Sequence, residues 1–215
     1  QGSFSRPDGF RYAGEWVEGR IDGQGIANYP NGSIYEGDFI DGAPDGVGKI
    51  TYADGSTFEG EWKAGVIDGG GMASYANGIV YEGEFKNSTQ NGMGVMTRPN
   101  GYRYEGSFKD GMPDGDGALT YPDGSVFTGQ LVAGQRAGQV EIRLPDGFTY
   151  LGEWPEGRIH VIGIAPQPNG AIYEGEFVDG KREGEGVARY SNGDVFTGAF
   201  KDDERHGKGR FVALD

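Results

Sequence analysis

The chain has 215 residues, 43 of them glycine and none of them cysteine, with a formal net charge of -14 and an isoelectric point of about 4.5. Disulfides and thiolate metal sites are thereby excluded. An acidic surface repels phosphate backbones and anionic lipid headgroups, and no apolar run approaches the roughly 18 residues of a membrane-crossing helix. Nucleic acid is not expected as a partner, and a membrane surface is opposed by the charge.

Glycine at this level marks either collagen or many turns, and the three-residue collagen period is missing. Aromatic residues make up 13% of the chain, which argues against disorder. Taken in chain order, the motif aromatic-x-Gly-x-aromatic begins at Tyr12, Tyr35, Phe58, Tyr81, Tyr104, Phe127, Tyr150, Tyr173 and Phe196, each 23 residues after the last. Asn-Gly or Asp-Gly keeps the same beat, from Asp8-Gly9 through Asp54-Gly55 to Asn192-Gly193. This dipeptide is a strong hairpin signal because it tolerates positive φ. A Gly-x-Gly triplet opens at Gly23, Gly46, Gly69, Gly92, Gly115, Gly184 and Gly207.

These signals predict one hairpin per unit and nine units in all. In the third, a strand runs from Gly46 to Tyr52, turns at Asp54-Gly55, and returns from Thr57 to Trp62 before a short loop through Gly65. Alternation puts Gly48, Ile50 and Tyr52 on one face, with Phe58, Gly60 and Trp62 sharing a face of the return strand. A single hairpin is marginal and must bury its rings on its neighbours. The fold class is all-β: an elongated array of antiparallel hairpins forming a single-layer curved sheet. It occupies residues 1–215 as one domain, with an unpaired strand at 209–214.

Tyr35-Glu36-Gly37-Asp38-Phe39 followed by Gly46-Val47-Gly48 resembles the MORN repeat (membrane occupation and recognition nexus), and the likeness extends over the whole chain. The resemblance implies stacked hairpins curved into a groove. It implies an adaptor or scaffold function that binds proteins and, in some members, membranes. On this reading the protein is not an enzyme and takes no cofactor.

The candidate groove lies in the central units, at Tyr81, Phe85, Tyr104 and Phe108. Their neighbours Tyr75, Met96 and Arg98 discriminate better, because the four rings can equally be core. The expected partner is a protein or peptide, basic or folded as an amphipathic helix. Carboxylates at Glu15, Glu36, Asp38, Glu59, Glu61, Glu82, Glu84, Glu105, Glu153, Glu174 and Glu176 share one parity. They read either as a track for that partner or as solvating consensus residues paired across strands. Identical repeats offer identical environments, which argues against a catalytic acid pair. The glycine-rich run 110–117 lacks the ligand spacing of a calcium loop. His160 and His206 are expected in loops.

The sixth and seventh units break the pattern. Leu131 replaces the second aromatic, Val140 and Val161 replace triplet glycines, and Leu144 and Gln167 stand where Tyr is usual. Two readings stay open: a local binding or dimer site, or drift in a tolerant array. Other functions in play are a rod that forms a homodimer through its end strands, peripheral lipid binding, and carbohydrate binding.

Overall fold

The computed structural model describes residues 1–153, 160–166, 169–178 and 180–214. It contains strands and tight turns and, among the described residues, no helix. Two compact units divide the chain, residues 1–113 and 114–215.

The first unit holds β1 (Gly2–Ser5), β2 (Arg11–Val17), β3 (Arg20–Asn28), β4 (Ile34–Ile40), β5 (Ala43–Thr51), β6 (Thr57–Lys63), β7 (Val66–Ser74), β8 (Val80–Lys86), β9 (Thr89–Thr97) and β10 (Arg103–Lys109). Each pairs antiparallel with the next in chain order. The second runs from β11 (Met112–Thr120) through β12 (Val126–Val132), β13 (Gln135–Arg143), β14 (Thr149–Glu153), β15 (His160–Pro166), β16 (Ile172–Val178), β17 (Lys181–Arg189) and β18 (Val195–Lys201) to β19 (Glu204–Val212). It is also a meander.

The 23-residue period has a mechanical origin. A repeat consists of a nine-residue strand such as β5, a five-residue loop, a seven-residue strand such as β6, and a two-residue turn. Thus the first strand starts three residues before the predicted Gly46, and the strand expected unpaired at 209–214 is β19, Glu204–Val212, which pairs antiparallel with β18. His206 lies inside β19 and His160 opens β15, so neither is a loop residue.

The Asn-Gly and Asp-Gly dipeptides do turn the chain, but not as two-residue turns. Tyr52 N donates to Ser56 O (2.8 Å), Gly55 N donates to Tyr52 O (3.0 Å), and only Gly55 of the dipeptide takes a positive φ, 86°. Asp54 Oδ1 accepts from Ser56 N at 2.9 Å, closing an Asx turn inside the longer loop. The true two-residue turns sit at the other end of each repeat. Ala64 and Gly65 have φ of 48° and 81°, as a type I′ hairpin requires.

A nine-residue strand paired with a seven-residue one leaves two surplus residues, which bulge. Gly60 opposes Gly71 and Trp62 opposes Ile67, so Glu61 faces Asp68, Gly69 and Gly70 together. The leading end of each long strand is then free to receive the next repeat's turn. Gly65 N donates to Pro44 O (2.7 Å) and Ala64 N to Asp45 Oδ2 (2.9 Å). Ser88 N and Asn87 N make the corresponding bonds to Ile67 O and Asp68 Oδ2, at 2.8 and 3.4 Å. In the second unit Asp203 N reaches Arg182 O, and Asp202 N reaches Glu183 Oε2.

Among the described residues, only one face of each sheet carries rings. In the first unit they form an unbroken edge-to-face ladder from Tyr12 to Phe108, with centroids 4.8–5.6 Å apart. Tyr173, Phe177, Phe200 and Phe196 continue the same geometry in the second unit. Tyr and Phe that head the motif lie flat over paired strand glycines. A Cβ on Gly71 would fall 2.5 Å from the Phe58 ring, and one on Gly48 would collide with the Tyr35 ring and hydroxyl. The tyrosine hydroxyl donates to the carbonyl three residues on, as in Tyr81 to Glu84 O at 2.9 Å. Burial pushes the Tyr81 and Tyr173 hydroxyls up to about 12.

Two predictions follow from the rings. Gly48→Ala will cost about 1–3 kcal/mol, the usual range for overpacking. Gly70→Ala, with nothing within 4 Å of the new methyl, will be neutral or slightly stabilising; thermal melts of the two variants compare them. Because the folded hydroxyls titrate above the unfolded value near 10, their contribution to stability will be constant up to about pH 10 and will be lost between about pH 10 and 12. Tyr81→Phe will shallow that fall in urea titrations across the range.

Candidate functional site

Structure separates the candidate groove residues into two groups. Tyr81, Phe85, Tyr104 and Phe108 are 1, 6, 0 and 4% exposed, so they are rungs of the buried ladder, and Phe85 meets open space as part of a cavity floor. Met96 lies half-buried between Tyr81 and Tyr104 in the register of β8, β9 and β10. Arg98 is exposed, its guanidinium 4.9 Å from the Tyr102 ring centroid. Tyr75 is 37% exposed, and so is Tyr52, one repeat earlier.

Tyr52 and Tyr75 share a cavity of about 320 Å³ in the first unit. Phe58, Phe85 and Ala73 give it an apolar floor, Ile67 and Ser88 line it, and Asp54 stands among its lining residues. Gln90 Nε2 donates to Tyr75 Oη, bracing the ring from the next long strand. Bonds to the backbone and hydroxyl of Ser56 hold the Asp54 carboxyl below the usual carboxylate range, so it is charged at neutral pH. Burial raises the hydroxyls of Tyr29, Tyr52 and Tyr75, which stay protonated and able to donate.

Each of these three tyrosines is the last residue before an Asx-Gly loop turns. Each is held by the same bond from its N–H to the carbonyl four residues on, 2.8 Å in all three. Tyr29, Tyr52 and Tyr75 therefore recur once per repeat, and Arg98 takes the next place. Tyr29 and Tyr52 were missed in the sequence as site residues, although their 23-residue spacing beside the Asx-Gly signal was visible.

The carboxylates of the opposite face also divide. Glu15, Asp38 and Glu61 sit at the bulges and accept the backbone N–H of Gln24 (3.0 Å), Val47 (2.9 Å) and Gly70 (3.3 Å). Glu84 and Glu176 lie over Gly92 and Gly184 in the same way, leaving no room there for a Cβ. These five finish the fold. Of the other row, Glu36, Glu59, Glu82, Glu105 and Glu174 are exposed. Lys49 Nζ lies 3.4 Å from Glu59, and Arg103 lies 2.7 Å from Glu105. Among the described residues no three of His, Asp and Glu are placed to hold a metal ion.

In the irregular units Leu131 and Val140 are 2 and 4% exposed and fill the core. Val140 opposes Gly129, where glycine pairs with glycine in the regular repeats, and its side chain occupies space that the Phe127 ring would cover. Leu144 is half-buried and opens the loop that Phe148 closes, and Val161 pairs with Gly152 and Phe177 in β15. Gln167 lies outside the described residues.

Comparison with known proteins follows the repeat boundaries. The MORN repeat family model matches residues 12–34, 35–57, 58–80, 81–101, 104–126, 173–195 and 196–213. Seven repeats are thus found where the spacing predicts nine, and residues 127–172, the irregular units, fall between matches. No curated protein matches the sequence. Among solved structures, the wild-type TCP10 domain of Danio rerio CPAP is similar at a TM-score of 0.53 and 15% identity, over 99% of this chain and 100% of that one. The same domain in complex with a peptide of Danio rerio STIL gives 0.49 and 20%, over 87% and 83%. The SAS-4 (dCPAP) TCP domain of Drosophila melanogaster, in complex with a proline-rich motif of Ana2, gives 0.43 and 14%, over 99% and 89%.

The division of carboxylates is testable by stability. Glu61→Ala removes the acceptor of a bulge N–H and will cost about 1 kcal/mol. Glu82→Ala, on the exposed row, will stay within about 0.5 kcal/mol of the parent in urea melts.

Proposed function

The chain belongs to the MORN repeat family, and we propose that it works as a non-enzymatic protein-binding module whose docking face is the ring side of residues 1–113. One observation carries this reading: beside a fully buried ring ladder stand large aromatics that the fold leaves open, Tyr52 and Tyr75, flanking one apolar cavity. Half-exposed tyrosines on a rigid sheet make anchors at low entropic cost, since the strands already hold their backbone. The partner is a segment of another protein that lies along the tyrosine row.

The second sheet face contributes by field. The exposed row of Glu36, Glu59, Glu82 and Glu105, within a chain of net charge -14, raises the encounter rate of a basic partner. The protein-bound peptide of the Danio rerio CPAP domain is a property of that domain, and it accords with this reading of a shared fold.

Panning a random twelve-residue peptide library on the protein tests the proposal. Peptides enriched by the parent protein will be lost on Tyr52→Ala and Tyr75→Ala, each weakened roughly tenfold as for a central anchor. Glu82→Ala will slow association without matching that loss. Enrichment indifferent to both tyrosines would refute the docking face.

A further inference from the structure

We propose that the segment received by this face is a basic, proline-rich peptide in the polyproline II conformation, with one proline seated per repeat along Tyr29, Tyr52 and Tyr75. The inference rests on the docking face proposed above and adds the conformation, register and charge of what it takes.

Pitch decides among conformations. Successive repeats are offset by two strands, about 9.4–9.8 Å. A partner lying along the tyrosine row must present an equivalent side chain at that interval. Polyproline II has three residues per turn and rises about 9.3 Å over them, so residues i, i+3 and i+6 share one face and match the row. A β-strand covers a similar distance in three residues, but its side chains alternate, so every third one points away. Two turns of α-helix rise about 10.8 Å and drift by roughly 1 Å per repeat. The amphipathic helix expected from sequence is therefore the poorer fit.

Chemistry points the same way. Proline offers a flat apolar ring for the slot between Tyr52 and Tyr75, over the floor of Phe58 and Phe85. Polyproline II makes no internal hydrogen bonds, so its carbonyls are free to accept. The tyrosine hydroxyls stay protonated and can donate to them. Its low conformational entropy limits the cost of docking. Asp54 lines the cavity as a charged carboxylate, and the chain as a whole carries -14, so Lys or Arg between the prolines is favoured. Arg98, in the fourth place of the row, repels such a peptide and sets its limit at three repeats.

The test uses labelled synthetic dodecapeptides and fluorescence anisotropy on the whole chain. The probe carries proline at every third position with lysines between. One control has the same composition with its four prolines grouped at two-residue spacing, and another replaces each proline by alanine. The three-residue probe should bind at least roughly tenfold tighter than either control, and weaken roughly tenfold on Tyr52→Ala or Tyr75→Ala. Tyr75→Phe should retain most of the binding, and raised salt should weaken it. Unchanged thermal melts of the alanine variants would show that the fold is intact. Controls that bind as well as the probe would overturn the polyproline II register. So would a probe that fails while library-selected peptides still bind in a tyrosine-dependent manner, and in that case the docking face itself would stand. Failure of the probe together with the absence of any tyrosine-dependent library peptide would sink both.

Discussion

An aromatic ring lying flat on a pair of glycines is the contact on which the rest of this protein depends. A single sheet has no second layer to bury its apolar face, and here the rings are covered by one another and by bare backbone. Tyr35 reaches across Gly37 and Gly48 and meets Phe39 and Trp62 edge-on. Adding a methyl under the ring removes the only surface available to it. High glycine content is thus a packing requirement in the strands as much as a turn requirement in the loops.

From that contact follow the unequal strands. The bulge opposite Glu61 lets one hairpin's turn hydrogen-bond to the long strand of the hairpin before it, as Ser88 does to Ile67. Cohesion between repeats therefore has two parts, rings on one face and turn staples at one end. Neither exists within an isolated hairpin, which is why stability must be shared among neighbours. The carboxylates of the bulges belong to this machinery: Glu15, Asp38 and Glu61 satisfy N–H groups that the bulge takes out of the ladder.

Function occupies what this machinery leaves over. Residues under the strongest packing constraint are buried and cannot be contacted, which removes Tyr81 and Tyr104 as direct contacts in spite of their chemistry. The position just before each Asx-Gly loop has a fixed backbone and a freer side chain. Tyr29, Tyr52, Tyr75 and Arg98 differ in type while the bonds holding their backbone do not. In the proposed docking module this lets recognition vary without disturbing the core.

The sequence by itself determined the period, the all-β class, the family and the two faces, because each is written as a local repeat: glycine and ring two residues apart, Asx-Gly at a constant offset, alternation along every strand. It also marked Leu131 and Val140 as exceptions, though not that they fill the core. Which turn is the two-residue one, why Glu61 and Glu82 differ, and which tyrosines stay open emerged only on folding. These outcomes depend on how one repeat is offset against the next. A one-dimensional pattern shows that Tyr75 and Tyr81 are both aromatic and periodic. Only the stacking of neighbouring hairpins puts one under a ladder of rings and leaves the other beside a cavity.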